Sequence, residues 1–298
     1  MIKKNIINTK LILLTLALYF SLIIGFFLDE NLNSGAFYDW IHGNQLVIND
    51  LSINLKETLL NYESYGHRHS PVYLIILSSF KKLGIQNDLI RIFHLHFSLL
   101  LIIIFYKCLC LKFKDIDKNL LVLVSLIIFL SPTFRSLSIW PDSRLPGLLF
   151  FTLSIFFYLK FTINNQFIYA LLNILSLIVS SYMSPNFSLF YFFFIINFFH
   201  KLALRNLITI IFISIILSIP AFYYLFVLKI NFFTAGLTPG LNNTAVSLNF
   251  NFSNKILIIS SIILFHIFPL IIRKNLFFDF FKFFKEKIIL ILPIFILL

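Results

Sequence analysis

Charged residues are scarce in this chain of 298 residues: Lys, Arg, Asp and Glu together make up 12% of it, whereas 59% of the residues are hydrophobic. This composition excludes a water-soluble globule. The eight glycines and the abundance of apolar side chains exclude a collagen-like fibre and a disordered chain. The two cysteines, Cys108 and Cys110, are too few for a disulfide scaffold. The composition therefore predicts a membrane protein.

Several signatures of common activities are also missing. The sequence contains no GxxxxGK[ST] phosphate loop, no HExxH zinc helix and no GxSxG nucleophile elbow, so that ATP-driven transport, zinc proteolysis and hydrolase chemistry lack support. Acidic residues are absent from the long apolar runs. Proton- and ion-coupled transporters usually carry carboxylates inside the membrane, and this absence argues against that class.

Apolar runs long enough to cross a bilayer, about 20 residues each, recur along the chain. They predict an all-α integral membrane protein, a polytopic bundle of about eight to nine transmembrane helices that forms a single domain over residues 1–298. The first run follows Lys3, Lys4 and Lys10 and is interpreted as a retained signal anchor. The predicted spans are 11–28, 89–106, 119–134, 145–160, 167–183, 186–199, 207–228 and 255–272, with a last apolar run at 288–298.

One shorter apolar run, 71–80, tests the topology. As a helix it would cover only about 15 Å of a hydrocarbon core roughly 30 Å thick, so we expect it not to cross. With the N-terminus inside and this run not crossing, 15 of the 24 basic residues lie on the cytoplasmic side and 9 outside. If the run crossed, the count would be 10 inside and 14 outside. The excess of Lys and Arg on cytoplasmic segments favours the first arrangement.

This topology places the polar chemistry on the outer face of the cytoplasmic membrane. Two external loops are long, 29–88 with its short interfacial helices and 229–254, and long loops on a helical scaffold often carry sites. The formal charge of +12 then reports orientation rather than a nucleic-acid partner. Eight of the twelve acidic residues are external: Asp29, Glu30, Asp39, Asp50, Glu57, Glu63, Asp88 and Asp142.

Four short sequence motifs follow the acidic cluster of the first external loop, Asp29, Glu30 and Asp39. They are His69-Ser70-Pro71-Val72-Tyr73, Leu83-Gly84, Leu89-Ile90-Arg91 and Pro141-Asp142-Ser143. Over about residues 11–160 their order and spacing resemble the GT-C superfamily of membrane glycosyltransferases, in particular the bacterial branch of protein O-mannosyltransferases and aminoarabinose transferases. That family has an acidic residue in its first external loop, a His-Pro-Pro-Leu-Tyr-Tyr-like motif on a short outer-face helix and an Arg/Pro-Asp-Ser-like element after its third span.

The resemblance implies transfer of a sugar from a polyprenyl-phosphate donor to an acceptor glycan, lipid or protein at the outer leaflet, with membrane lipid as a further partner and no nucleic acid. A carboxylate would deprotonate the acceptor hydroxyl, and arginines would stabilise the leaving phosphate. By its separation from His69, Asp39 is the first choice for the base; Asp29 and Glu30 are alternatives, and Asp142 matches the second acidic position. Candidates for phosphate contact are Arg68, His69, Arg91, Arg144 and His67.

Several alternatives stay open. Ser70 stands where the family motif has Pro, and Asp39 is followed by Trp40, so the identity of the catalytic acid is unsettled. A divalent metal ion is an open choice for a cofactor. His94 and His96 favour packing or hydrogen bonding between helices. A flippase, another transporter or a polymerase of lipid-linked saccharides would share the substrate. The chain is short for the superfamily, which predicts a compact member or one that stops before the family pattern is complete.

Overall fold

Helices make up every regular element of the described residues, which in this computed structural model are 9–31, 35–65 and 70–227. They belong to the first of two units of the chain, Met1–Gly240; the second, Leu241–Leu298, lies outside the described residues. The α-helices are α1 (Thr9–Phe27), α2 (Ala36–Asp39), α3 (Gln45–Ile53), α4 (Leu55–Leu60), α5 (Pro71–Lys82), α6 (Asn87–Lys112), α7 (Lys118–Leu126), α8 (Pro132–Ile139), α9 (Arg144–Asn164), α10 (Phe167–Met183), α11 (Phe190–Phe199) and α12 (Leu204–Phe222).

Four segments of the described chain are long and apolar enough to cross a membrane: α1, α6, α9 and Leu204–Phe226, which is α12 with its π-helical end. A fifth is the pair formed by Lys118–Leu130 and α8, which bends by 71° at the break between them. The structure thus confirms an all-helical protein with four to five candidate spans. It does not confirm the predicted total of eight to nine, and 255–272 and 288–298 lie outside the described residues.

Two predicted spans, 167–183 and 186–199, are helical in the structure but shorter than a full membrane crossing. The helix α10 has 17 residues, and the helical segment Pro185–Phe199 is also below the length of a full crossing. At 1.5 Å per residue they reach about 26 and 22 Å, less than a hydrocarbon core of roughly 30 Å. The predicted span 119–134 is also altered, because the helix breaks at Ser131 before Pro132 begins α8.

The first external loop of the sequence prediction contains α2 to α5. The helix α5 begins with Ser70 as its N-cap, whose Oγ accepts from Val72 N–H, and Pro71 in its first turn. It ends at Lys82, and Gly84, two residues later, has φ +82°, the left-handed conformation that glycine adopts without strain. With 12 residues the helix is about 18 Å long, which is too short to cross a bilayer. Which side of the membrane it occupies stays a prediction.

Small polar residues form the contact between α9 and α10. Ser180 Oγ donates to Gly147 O at 2.7 Å, and Asn173 Nδ2 donates to both Ser154 O (2.9 Å) and Ser154 Oγ (2.8 Å). Small residues let helices approach closely inside a membrane, where packing and interhelical hydrogen bonds take the place of the hydrophobic effect. These two helices therefore form a tight pair that supports the start of α9, where the candidate site lies.

The close approach at Gly147 gives a first prediction. A Cβ at this position would lie 3.0 Å from Ser184 Cβ and 3.3 Å from the Phe187 ring, so we expect Gly147→Leu to separate the helices and lower the free energy of unfolding by about 1–3 kcal/mol. Labelling of buried Cys108 by a thiol-reactive dye on heating, in a Cys110→Ser background, measures this. The neighbouring Leu148→Ala, at a half-exposed position, is the control; equal stability of the two variants would contradict the prediction.

Candidate functional site

The candidate site is built on the segment Trp140–Ser143, between α8 and α9, and on Arg144, the first residue of α9. Asp142 is fully buried. Its Oδ1 accepts from Arg144 N (2.7 Å) and Nε (2.8 Å), and its Oδ2 accepts from Arg144 Nη2 (2.6 Å). The carboxylate thus binds the first turn of α9, where a negative charge is favourable. Asp142 therefore holds the Arg144 side chain in one orientation.

Arg144 also binds Asp39, so that Asp39 and Asp142 contact the same guanidinium. Its Nη2 lies 2.9 Å from Asp39 Oδ2, across a sequence separation of 105 residues. The Asp39 side chain is 36% exposed and that of Arg144 is 40% exposed, whereas that of Asp142 is fully enclosed. The two predicted acidic positions therefore share one guanidinium, and Asp39 is the more accessible of the two carboxylates.

The remaining edge of the Arg144 guanidinium is uncommitted. In the described part of the chain its Nε and Nη2 bind the two carboxylates, and Nη1 has no hydrogen-bond partner. Because guanidinium donors match the oxygen atoms of phosphate, this edge is suited to an anion that approaches Asp39 from the exposed side.

Arg91, a second predicted phosphate contact, is occupied by protein groups. Its Nη2 lies 2.8 Å from Asp29 Oδ1, and its Nη1 lies 3.4 Å from Asp88 Oδ1. Its guanidinium carbon stacks 3.9 Å from the Trp140 ring centre and 4.6 Å from that of Phe26. With a side chain only 9% exposed, Arg91 is placed to anchor the segment around Trp140 rather than to meet a ligand.

Asp29 lies in the turn that ends α1. Glu30 N–H donates to Gly25 O (2.8 Å) and Asp29 N–H to Phe26 O (3.2 Å), the two bonds of a Schellman motif. Asp29 has φ +50°, a left-handed conformation that glycine occupies more readily. The side chain is 66% exposed and paired with Arg91. The ion pair of Asp29 is thus with Arg91 and not with Arg144, which binds Asp39 and Asp142.

Glu30, the other alternative base, is bound from two sides by Arg135. Arg135 Nε donates to Glu30 Oε1 at 2.7 Å and Nη2 to Oε2 at 2.5 Å. The Glu30 side chain is 18% exposed and rests against Gly25, where any Cβ would overlap Oε2. A two-point ion pair of this kind fixes α1 to α8 and leaves Glu30 poorly placed to accept a proton from a substrate.

A buried hydrogen-bonded pair, Tyr73 and His94, lies between α5 and α6. His94 Nε2 contacts the carbonyl of Leu137 at 2.8 Å; since a carbonyl only accepts, Nε2 carries the proton and Nδ1 accepts from the Tyr73 hydroxyl. Burial, and then the negative charge of Asp142, raise the pKa of Tyr73 well above its ordinary value. The sequence motif contained Tyr73, and the prediction of a hydrogen-bonding role for His94 agrees with this contact.

A groove of about 400 Å³ lies among α10, α11, α12 and the residue preceding α5. Its walls are mostly apolar, with hydroxyl groups distributed along them, and Tyr182 Oη donates to Leu217 O at 2.5 Å across the α10–α12 contact. Its hydroxyl-bearing residues are Ser70, Ser181, Tyr182, Ser188, Tyr191, Ser214, Ser218 and Tyr224. This combination suits a long apolar chain with few polar atoms.

Three predicted contacts, His67, Arg68 and His69, lie outside the described residues. They immediately precede Ser70, which lines the groove. Among the residues that the structure describes, no group of three or more His, Cys, Asp or Glu side chains is arranged to hold a metal ion. The site residues that the structure does describe therefore form three acid–arginine groups: Asp29 with Arg91, Glu30 with Arg135, and Asp39 and Asp142 with Arg144.

Compared with known proteins, the chain matches no family model, no curated protein and no solved structure.

Proposed function

We propose that this protein transfers a sugar from a polyprenyl-phosphate donor to an acceptor hydroxyl at the outer face of the cytoplasmic membrane, and that Asp39 is the general base. The observation that carries the proposal is the meeting of Asp39 and Asp142 at the Arg144 guanidinium. An accessible carboxylate beside a partly uncommitted arginine supplies the two groups that glycosyl transfer from a phosphate needs, a proton acceptor and a cation for the leaving group.

In the proposed transfer, the acceptor oxygen forms a bond to the anomeric carbon of the sugar while the bond from that carbon to the phosphate oxygen breaks. The hydroxyl proton passes to Asp39, and the polyprenyl phosphate leaves with the electron pair. Arg144 Nη1 is the group that we place against the leaving phosphate, because its other donors already bind Asp39 and Asp142.

The other acidic candidates suit this role less well. Asp142 is enclosed and binds Arg144 through both oxygens, and Glu30 is held by Arg135 through both of its own. Asp29 is exposed but pairs with Arg91 rather than Arg144. Asp39 alone among the four combines exposure with contact to Arg144.

The groove supports a lipid-linked substrate. A polyprenyl chain is long and apolar, and the groove, which Ser70 helps to line, has mostly apolar walls along α10 and α12. The basic residues Arg68 and His69, which the resemblance assigns to phosphate contact, immediately precede Ser70 in sequence.

Filling the groove is expected to weaken donor binding. We expect Ser218→Trp on α12 to raise the KM for the lipid-linked donor by at least about tenfold, with kcat little changed, because lost contact with the non-reacting part of a substrate weakens its binding. Ile219→Trp, at the exposed neighbouring position, is the matched control. Equal KM values for wild type and Ser218→Trp would remove the groove from the proposal.

Release of free polyprenyl phosphate tests the function without knowledge of the acceptor. The purified protein in lipid nanodiscs would be given a panel of polyprenyl-phosphate sugars, with and without glycan, lipid and protein acceptors. Donor cleavage is expected in the wild type and not in Asp39→Asn. Movement of intact fluorescent donor across proteoliposomes, with no cleavage of any donor, would favour the flippase alternative and reject the enzyme.

A further inference from the structure

The helix that carries Asp39 contains one wide turn. From Ala36 to Ile53 the chain is helical, but Trp40–Asn44 is a π-turn in which Gln45 N–H donates to Trp40 O, five residues back. Such a turn holds one more residue than an α-helical turn and is often found at functional sites. It changes the rotational position of everything after Asp39.

The wide turn brings Asp39 and Asn44 to one side of the helix. In a regular α-helix, residues five apart lie roughly 140° from each other around the axis, whereas a π-turn, with its hydrogen bond five residues back, brings such residues closer to the same side. Both side chains reach the segment between α8 and α9: Asp39 contacts Arg144 at 2.9 Å, and Asn44 Nδ2 donates to Pro141 O at 3.1 Å. The two contacts flank Asp142.

The side-chain amide of Asn44 is buried, and only one of its two polar atoms has a hydrogen-bond partner among the described residues. Asn44 is 2% exposed, and although its Nδ2 is bonded, its Oδ1 has no hydrogen-bond partner among the described residues. A buried polar atom without a partner is destabilising, and this cost offsets much of what the bond from Nδ2 to Pro141 O contributes. Stability therefore does not account for Asn44, whereas the bond to Pro141 gives it a specific task.

We propose that Asn44 is a positioning residue that holds the Pro141–Arg144 segment against the helix of Asp39, so that Asp39 and the Arg144 guanidinium keep their mutual geometry. The consequence for catalysis rests on the proposed function of Asp39; the contact itself does not. Asn44 acts through Pro141 and Arg144 and has no contact with substrate in this scheme.

The test replaces Asn44 by Leu, which has a similar volume and no donor. The only two tryptophans of the chain, Trp40 and Trp140, lie on the two sides of the contact. In a Trp40→Phe background, the emission of Trp140, which is 2% exposed, reports the position of the segment next to Pro141. We expect a shift to longer wavelength, a kcat for donor cleavage lower by about 10- to 100-fold, a donor KM within twofold, and a thermal midpoint close to that of the parent.

The exposed Asn49→Leu on α3 is the matched control and should leave all four quantities unchanged. An unchanged Trp140 emission in Asn44→Leu, or a shifted emission with unchanged kcat, would overturn the positioning role. A fall in kcat that only follows a loss of folded protein would also overturn it. If the wild type cleaves no donor but the emission still shifts, the proposed function fails while the contact between Asn44 and Pro141 stands.

Discussion

Asp39→Asn is expected to abolish sugar transfer while the protein still inserts and folds. The change removes the proton acceptor but keeps the size of the side chain and an oxygen for Arg144 Nη2. General base catalysis contributes about 10²- to 10⁴-fold to a rate, so we expect kcat for donor cleavage to fall by at least about 10³-fold with donor binding retained. Because Asp39 is 36% exposed, loss of its charge should change thermal stability little.

The matched control is Asp50→Asn in the same helical segment. Asp50 accepts a hydrogen bond from Tyr65 Oη at 2.7 Å and does not take part in the Arg144 group, so this variant should keep its activity. If Asp39→Asn were fully active and Asp29→Asn inactive, the base would be Asp29. Activity in every single variant of Asp29, Glu30, Asp39 and Asp142 would reject the enzyme proposal.

Part of this architecture could be predicted from hydropathy alone. The predicted spans 11–28 and 145–160 lie close to α1 (Thr9–Phe27) and α9 (Arg144–Asn164), because a long apolar run offers no other way to satisfy its backbone in lipid. The helix α6 continues six residues past the predicted end at 106, since a helix does not have to stop where the apolar run meets Lys107.

Hydropathy could not reveal how the acidic side chains are paired. Asp29 and Glu30 are adjacent in sequence, yet the first pairs with Arg91 and the second with Arg135. The left-handed backbone at Asp29 separates them, and no local pattern specifies which arginine each one meets. Order along the chain did bring Asp39 and Asp142 into one hypothesis, and the structure places both on Arg144.

Two smaller features of the site had no usable sequence signal. The π-turn at Trp40–Asn44 comes from one additional residue in a helix, and single residues have no characteristic propensity for it. The bend of 71° after Leu130 has a partial signal in Ser131-Pro132, since the residue before proline is driven out of the helical conformation. The apolar run that ends at Leu130 concealed this signal.

Arg135→Gln is expected to cause the largest loss of stability among single substitutions near the site. Arg135 makes two bonds to Glu30 and two to Ser21, from Nη2 to Ser21 O at 3.1 Å and from Nη1 to Ser21 Oγ at 3.3 Å, which join α1 to α8. The glutamine is too short to keep these bonds, and Glu30 would be left with an unpaired charge at 18% exposure. Breaking a buried ion pair by removal of one partner costs about 3–5 kcal/mol, and we expect a loss of about 3 kcal/mol, since both side chains keep some contact with solvent.

The double variant Glu30→Gln/Arg135→Gln separates this charge effect from lost packing. If the cost comes from the uncompensated carboxylate, neutralising Glu30 as well should recover more than half of the lost stability, because a neutral amide is far less unfavourable to bury than an unpaired carboxylate.

The control is Asp88→Asn. The Asp88 carboxylate is 76% exposed and 3.4 Å from Arg91, so this variant should change stability by less than about 0.5 kcal/mol. Labelling of Cys108 in a Cys110→Ser background measures unfolding in all variants, since Cys108 is buried beside Thr152. A loss below about 1 kcal/mol for Arg135→Gln, or a double variant less stable than the single one, would show that the pair does not join α1 to α8 as we propose.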